Sequence, residues 1–167
     1  MNGLVLAFLS AASLGFAAPE KIKLDPSKGR TEFMAVGRPA MLKISGKSPG
    51  PEGNVTIDGE NLSGQFQLKL DQLSTGIGMR DEHMKEKYLE TKKFPEAVLK
   101  ITALKIGPAA ENKVSYQGTL TLHGAERPIE GKAEVSRKND SYSVQSSFQI
   151  KLSDFGVAIP SYAGITV

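Results

Sequence analysis

Gly64-Gln65-Phe66-Gln67-Leu68-Lys69-Leu70 alternates without a break, with Phe66, Leu68 and Leu70 on one side and Gln65, Gln67 and Lys69 on the other. Successive side chains of an extended chain point to opposite faces, so this stretch reads as a strand with one face buried and one in water. The same period recurs down the chain. Val114, Tyr116, Gly118, Leu120 and Leu122 share a face, as do Ile129, Gly131, Ala133 and Val135. Tyr142, Val144, Ser146, Phe148, Ile150 and Leu152 continue it over eleven residues. Residues 97–106 read as a strand with Leu99, Ile101 and Ala103 inward and Lys100, Thr102 and Leu104 outward. Residues 30–36, 41–45 and 55–59 are shorter candidates.

The punctuation between these runs is that of an antiparallel protein. Residues 47–53 (KSPGPEG) and 107–112 (GPAAEN) read as loops, and 138–141 (KNDS) as a hairpin turn. Many short strands at close spacing point to a barrel or a sandwich. Glycines at 46, 64, 118 and 131 fall inside or at the start of strands, where a curled sheet needs bends and bulges. One segment departs from the pattern. Residues 80–93 (RDEHMKEKYLETKK) are dense in charge, and Met79, Met84, Tyr88 and Leu89 are spaced for one helix face. A short amphipathic helix, or two helical turns, is therefore expected between two strands, ended by Phe94-Pro95.

The composition narrows the function classes. The 167 residues fit one domain, and 21 basic against 18 acidic side chains are interspersed, which argues against a nucleic-acid binder. No cysteine is present, so disulfides, thiolate zinc sites and cysteine nucleophiles are excluded. Asp81, Glu82 and His83 are poorly spaced for a metal, because i and i+2 lie on different sides of a helix. No G-x-S-x-G, H-E-x-x-H or phosphate-binding glycine loop occurs, so no catalytic constellation and no enzyme is expected. A curled sheet of about eight strands is wide enough to enclose one small ligand, although inward apolar residues more often simply fill a core.

Residues 1–17 (MNGLVLAFLSAASLGFA) are uncharged, apolar at first and rich in small residues later. They read as a secretory signal peptide cleaved near Ala17, leaving 18–167 as the mature domain. The apolar run is short for a bilayer span, so no stable membrane insertion of the mature chain is expected.

Two blocks carry a family resemblance. Ser74-Thr75-Gly76, Met79-Arg80-Asp81-Glu82-His83-Met84, Leu89 and Lys93-Phe94-Pro95-Glu96-Ala97 form the first. Gly118-Thr119-Leu120-Thr121-Leu122-His123-Gly124 with Arg127-Pro128-Ile129 forms the second, and residues 148–162 (FQIKLSDFGVAIPSY) add a third match. Together they resemble the YceI-like proteins over nearly the whole mature chain. The resemblance implies an all-β, lipocalin-like antiparallel barrel of about eight strands with a short helical insertion. It further implies a periplasmic, non-enzymatic protein, often dimeric, that holds a polyisoprenoid lipid such as an isoprenoid quinone or a prenyl (pyro)phosphate. No other cofactor is implied. Phe66, Leu68, Leu99, Ile101, Leu120, Leu122, Phe148 and Ile150 are then candidates to line the interior.

Arg80 and His83, with Met84 and Tyr88, are candidates for the mouth, where a planar guanidinium suits a phosphate. The alternative is that Arg80 and Asp81 pair with neighbouring loops and lock the insertion onto the barrel. His123, beside Gly124, reads as a residue that packs a turn. Residues 37–54 depart from the family pattern, Arg38, Lys43 and Lys47 replacing its aromatic run. The family's further strand beyond Gly164-Ile165-Thr166-Val167 is expected to be missing, which leaves one barrel edge open. A rival function is an envelope stress or interaction protein with a filled core and no lipid.

Overall fold

The computed structural model describes residues 18–36, 43–107, 111–138, 141–158, 161–162 and 165–166. The expected signal peptide, residues 41 and 42, residues 108–110 of the expected 107–112 loop and the centre of the 138–141 turn lie outside them. Among the described residues eleven strands are present: β1 (Glu20–Leu24), β2 (Arg30–Val36), β3 (Lys43–Pro49), β4 (Glu52–Asp58), β5 (Asn61–Lys69), β6 (Glu96–Lys105), β7 (Glu111–Leu122), β8 (Ala125–Lys138), β9 (Ser141–Phe148), β10 (Ser161–Tyr162) and β11 (Ile165–Thr166). Seven of them form one antiparallel sheet in the order β1-β4-β5-β6-β7-β8-β9. β2 pairs with β3, and β10 with β11, as separate two-stranded ribbons.

The large sheet curls into a half-barrel. Its two outer strands approach closely enough for Tyr142 on β9 to donate a hydrogen bond of 3.4 Å to Glu20 on β1. The inner face carries most of the alternating set read from sequence. Val55, Ile57, Leu62, Leu99, Ile101, Leu104, Tyr116, Leu120, Leu122, Ile129, Ala133 and Val135 are all buried on it. Burying such side chains is the main stabilising term in a chain without disulfides.

Four expectations need correction. First, β6 does not keep one phase. Leu62 on β5 lies opposite Leu104, but Gly64 lies opposite Ile101, so two steps on β5 match three on β6. That bulge turns the strand over by one residue. Leu104 is therefore inside, at 1% exposure, and Ala103 is outside. Second, residues 47–53 are not a loop. Pro49 still pairs with Arg30, and Glu52 already pairs with Gln67, leaving Gly50-Pro51 as the link.

Third, the helix does not span 80–93. The α-helix α1 is Gly78–His83, followed by a single π-helical stretch, Met84–Tyr88. In that turn Leu89 N–H reaches the Met84 carbonyl at 2.9 Å. The wider turn brings Met84 and Leu89 onto one face and leaves Met79 exposed. Fourth, β9 ends at Phe148, and Leu152 belongs to a 3-10 turn, Leu152–Phe155.

Candidate functional site

The candidate site is the inner face of the curl together with the end closed by residues 70–95. Ladder register fixes rows of apolar side chains across it. Phe66 lies opposite Leu99, and Leu99 opposite Leu120. Gly64 lies opposite Ile101, and Leu68 opposite Ala97. Among the lining candidates, Leu99, Ile101, Leu120 and Leu122 are buried, while Phe66, Leu68 and Ile150 are half-buried and pack against them. Phe148 stands apart, at 39% exposure, at the end of β9, the edge strand of the sheet.

Phe148 lies in register with Gly131, which in turn lies opposite Tyr116. The absence of a side chain at Gly131 matters here, because a Cβ would sit 2.4 Å from Tyr116 Cζ. The Tyr116 ring covers that glycine, and its hydroxyl lies 2.6 Å from Ser146 Oγ on β9. Burial pushes the Tyr116 hydroxyl pKa up, against the opposing effect of the Ser146 hydrogen bond. Tyr116 thus ties three strands together through one ring.

The insertion is fastened at both of its ends. At its start, Asp81 accepts hydrogen bonds from Ser74 Oγ at 2.7 Å, from Thr75 N–H at 2.7 Å and from the Thr75 hydroxyl. These donors, led by the Thr75 hydroxyl, pull its carboxyl down to about 2. Arg80 Nε donates to Thr75 Oγ1 at 2.8 Å, and its Nη2 donates to the Thr75 carbonyl at 3.0 Å. Arg80 and Asp81 therefore hold the first helical turn on the Ser74-Thr75 corner, and that corner is itself bonded to β3 through Lys47 at 2.8 and 2.9 Å. Of the other mouth candidates, His83 is exposed, whereas Met84 and Tyr88 are half-buried against the core.

At the far end of the insertion, Glu90 takes a left-handed backbone (φ 46°) and its carboxylate lies 2.7 Å from His123 Nε2. His123 and Gly124 are the two residues of the β7–β8 turn, with φ of 50° and 76°. Positive φ at both positions matches the twist of a tight hairpin. The His123 ring also packs on Phe94, with centroids 4.4 Å apart. Sequence reading placed His123 in a turn but missed Glu90 and Phe94 as its partners. The only available signal was the His-Gly pair between two strands, which says nothing about what lies across from it.

A shallow hollow of about 280 Å³ lies on β7–β8, lined by Gln117, Pro128, Ile129 and Glu130. None of the lining candidates borders it. No group of three or more histidines and carboxylates stands together as metal ligands among the described residues.

Residues 23–167 match the family described as YceI-like domain. A UPF0312 protein of Pseudomonas putida strain W619 is 29% identical, covering 93% of this chain and 85% of its own length. A UPF0312 protein of Vibrio parahaemolyticus is 26% identical over 70% of this chain and 66% of its own. Among solved structures, a polyisoprenoid binding domain from Saccharophagus degradans, implicated in plant cell wall breakdown, superposes with a TM-score of 0.66 at 21% identity, covering 81% of this chain and 80% of that one. BcnA of Burkholderia cenocepacia superposes equally well, at 0.66 and 22% identity, over 80% of this chain and 84% of its own. At such identities the likeness is one of fold.

Proposed function

Because the chain belongs to the YceI-like family, we propose that it binds a long polyisoprenoid lipid inside the curled sheet and carries it in the periplasm. The observation behind this reading is the unbroken apolar inner face, from Phe66 through Leu99 to Leu120. A prenyl tail has no polar atoms, so it needs no hydrogen-bond partner and gains only by leaving water. At about 0.8 kcal/mol per buried carbon, each five-carbon isoprene unit contributes roughly 4 kcal/mol before the cost of ordering the chain. Several units suffice for tight retention.

In this reading Phe66, Leu68, Leu99, Ile101, Leu120, Leu122 and Ile150 contact the tail, and Phe148 meets it at the open side. The head group, a quinone or a (pyro)phosphate, sits at the insertion end near His83, Met84, Tyr88 and the outer nitrogen of Arg80. The role is binding rather than catalysis. Residues 1–17 direct export and are removed near Ala17.

Organic extracts of protein purified from the envelope, analysed by mass spectrometry, test the proposal. A stoichiometric prenyl lipid is expected, both in the native protein and after delipidation and reloading. Recovery of none from either preparation overturns it. Export is tested separately by fractionation, with an N-terminus at Ala18 expected.

A further inference from the structure

We propose that the outer face of the β2–β3 hairpin, with the Ile77–Met79 corner beside it, docks on the surface of an anionic phospholipid bilayer. The proposal rests on the lipid-carrying reading above, since a carrier of a bilayer lipid must meet the bilayer to load. Five large apolar side chains stand exposed among the described residues, and four fall on these two adjoining segments: Met34 (64%), Val36 (54%), Ile77 (54%) and Met79 (72%).

Register places the hairpin residues together. Val36 pairs with Lys43, Met34 with Ser45 and Glu32 with Lys47, so Met34, Val36, Lys43 and Lys47 share one exposed face. The opposite face, with Phe33, Ala35 and Ile44, is half-buried. The second segment is joined to the first through the backbone. Lys47 and Ser74 exchange hydrogen bonds of 2.8 and 2.9 Å in an antiparallel bridge, and Ile77 follows three residues after that bridge.

This face carries a net positive charge. Lys43 and Lys47 have no carboxylate within ion-pair distance among the described residues, and the acid on the face, Glu32, is paired with Arg30 at 3.1 Å. Glu82 follows three residues after Met79 and still leaves the surface net positive. Flat apolar centres flanked by lysines suit a bilayer interface, where the side chains enter the acyl boundary and the ammonium groups meet phosphates. A protein partner of high affinity would be met by aromatic or arginine anchors and a pocket, and this face offers Met and Val on an open strand pair.

Co-sedimentation with vesicles of phosphatidylglycerol and phosphatidylethanolamine, against vesicles of phosphatidylcholine alone, tests the proposal. Binding is expected to the anionic vesicles and to weaken as salt rises. Each lysine near an anionic surface adds about fivefold to partitioning, so Lys43→Gln/Lys47→Gln is expected to lower it about 25-fold. Met34→Ser/Met79→Ser is expected to lower it as well, with unchanged circular dichroism for both variants. Equal binding of the wild-type protein to anionic and neutral vesicles overturns the proposal. So does wild-type-like binding by both variants, or an effect of the variants on self-association alone in sedimentation equilibrium.

Loading separates this surface from the cargo reading. Variants that take up prenyl lipid from detergent but not from vesicles support docking. Wild-type protein that binds vesicles yet never holds a prenyl lipid leaves docking standing and removes the cargo.

Discussion

Replacing Leu104 with alanine tests the bulge in β6 directly. Simple alternation from Leu99 and Ile101 puts Ala103 in the core and Leu104 in water. The structure reverses this, burying Leu104 to 1% exposure opposite Leu62, itself at 1%. Leu104→Ala removes three buried carbons, a transfer loss of roughly 2.5 kcal/mol at about 0.8 kcal/mol each. Its neighbours belong to strands pinned on both sides, so the site closes poorly, and the cavity raises the cost to about 3–5 kcal/mol. For a chain of this size that corresponds to a fall in Tm of about 6–20 °C. Ala103→Ser, on the wetted face, is expected to change stability by less than about 0.5 kcal/mol. Urea denaturation followed by far-ultraviolet circular dichroism, with a common m value, reads both. A Leu104→Ala variant within about 0.5 kcal/mol of wild type, or a larger loss at Ala103→Ser, refutes the register shift.

Two further outcomes are expected. Asp81 is held at about 2, below its ordinary 3.8, so the stability it adds is fully present above about pH 4 and is lost as the pH falls toward 2. Asp81→Asn should flatten the pH dependence of the denaturation midpoint across that window, and an unchanged slope would show that the carboxylate is not held by Ser74 and Thr75. Gly131→Ala forces a methyl to within 2.4 Å of Tyr116 Cζ, and a cost of about 1–3 kcal/mol is expected. Adding Tyr116→Leu should make the alanine nearly harmless in a double-mutant cycle, whereas strict additivity in thermal melts would mean that the ring and the glycine do not meet.

The strands were legible because each carries its own evidence. Phe66 and Leu68, or Ile129 and Ala133, announce a buried face through their spacing alone. What was not legible depends on a second segment. The bulge between Ile101 and Leu104 is a mismatch with β5, and a single strand read by itself has no way to display it. Lys47 to Gly53 resembles a loop because Pro and Gly crowd it, yet pairing with β2 and β5 draws strand to either side of Gly50-Pro51. Met79 fits an ideal helical stripe only until the π turn at Met84–Tyr88 shifts the phase.

The same division holds at the candidate site. Arg80, Asp81 and His123 were visible as unusual residue types in unusual places. Their partners Thr75, Glu90 and Phe94 were not. Thr75 and Phe94 lay inside the recognised motif without a role, and Glu90 sits in a conformation that its sequence does not signal.

The hydrogen bond between Tyr142 and Glu20 spans 122 positions of the chain. Most of the large sheet is assembled from neighbours: β4 with β5, β7 with β8, and β8 with β9 are consecutive strands. Such hairpins close short loops and form early, whereas a contact of this sequence separation waits until the intervening chain is ordered. β1 reaches its place by skipping the β2–β3 ribbon to pair with β4, so the first strand of the domain is among the last to settle. During synthesis it emerges before β4 and has nothing to pair with until β4 follows, and the seam it forms with β9 is where the finished curl would open first under strain.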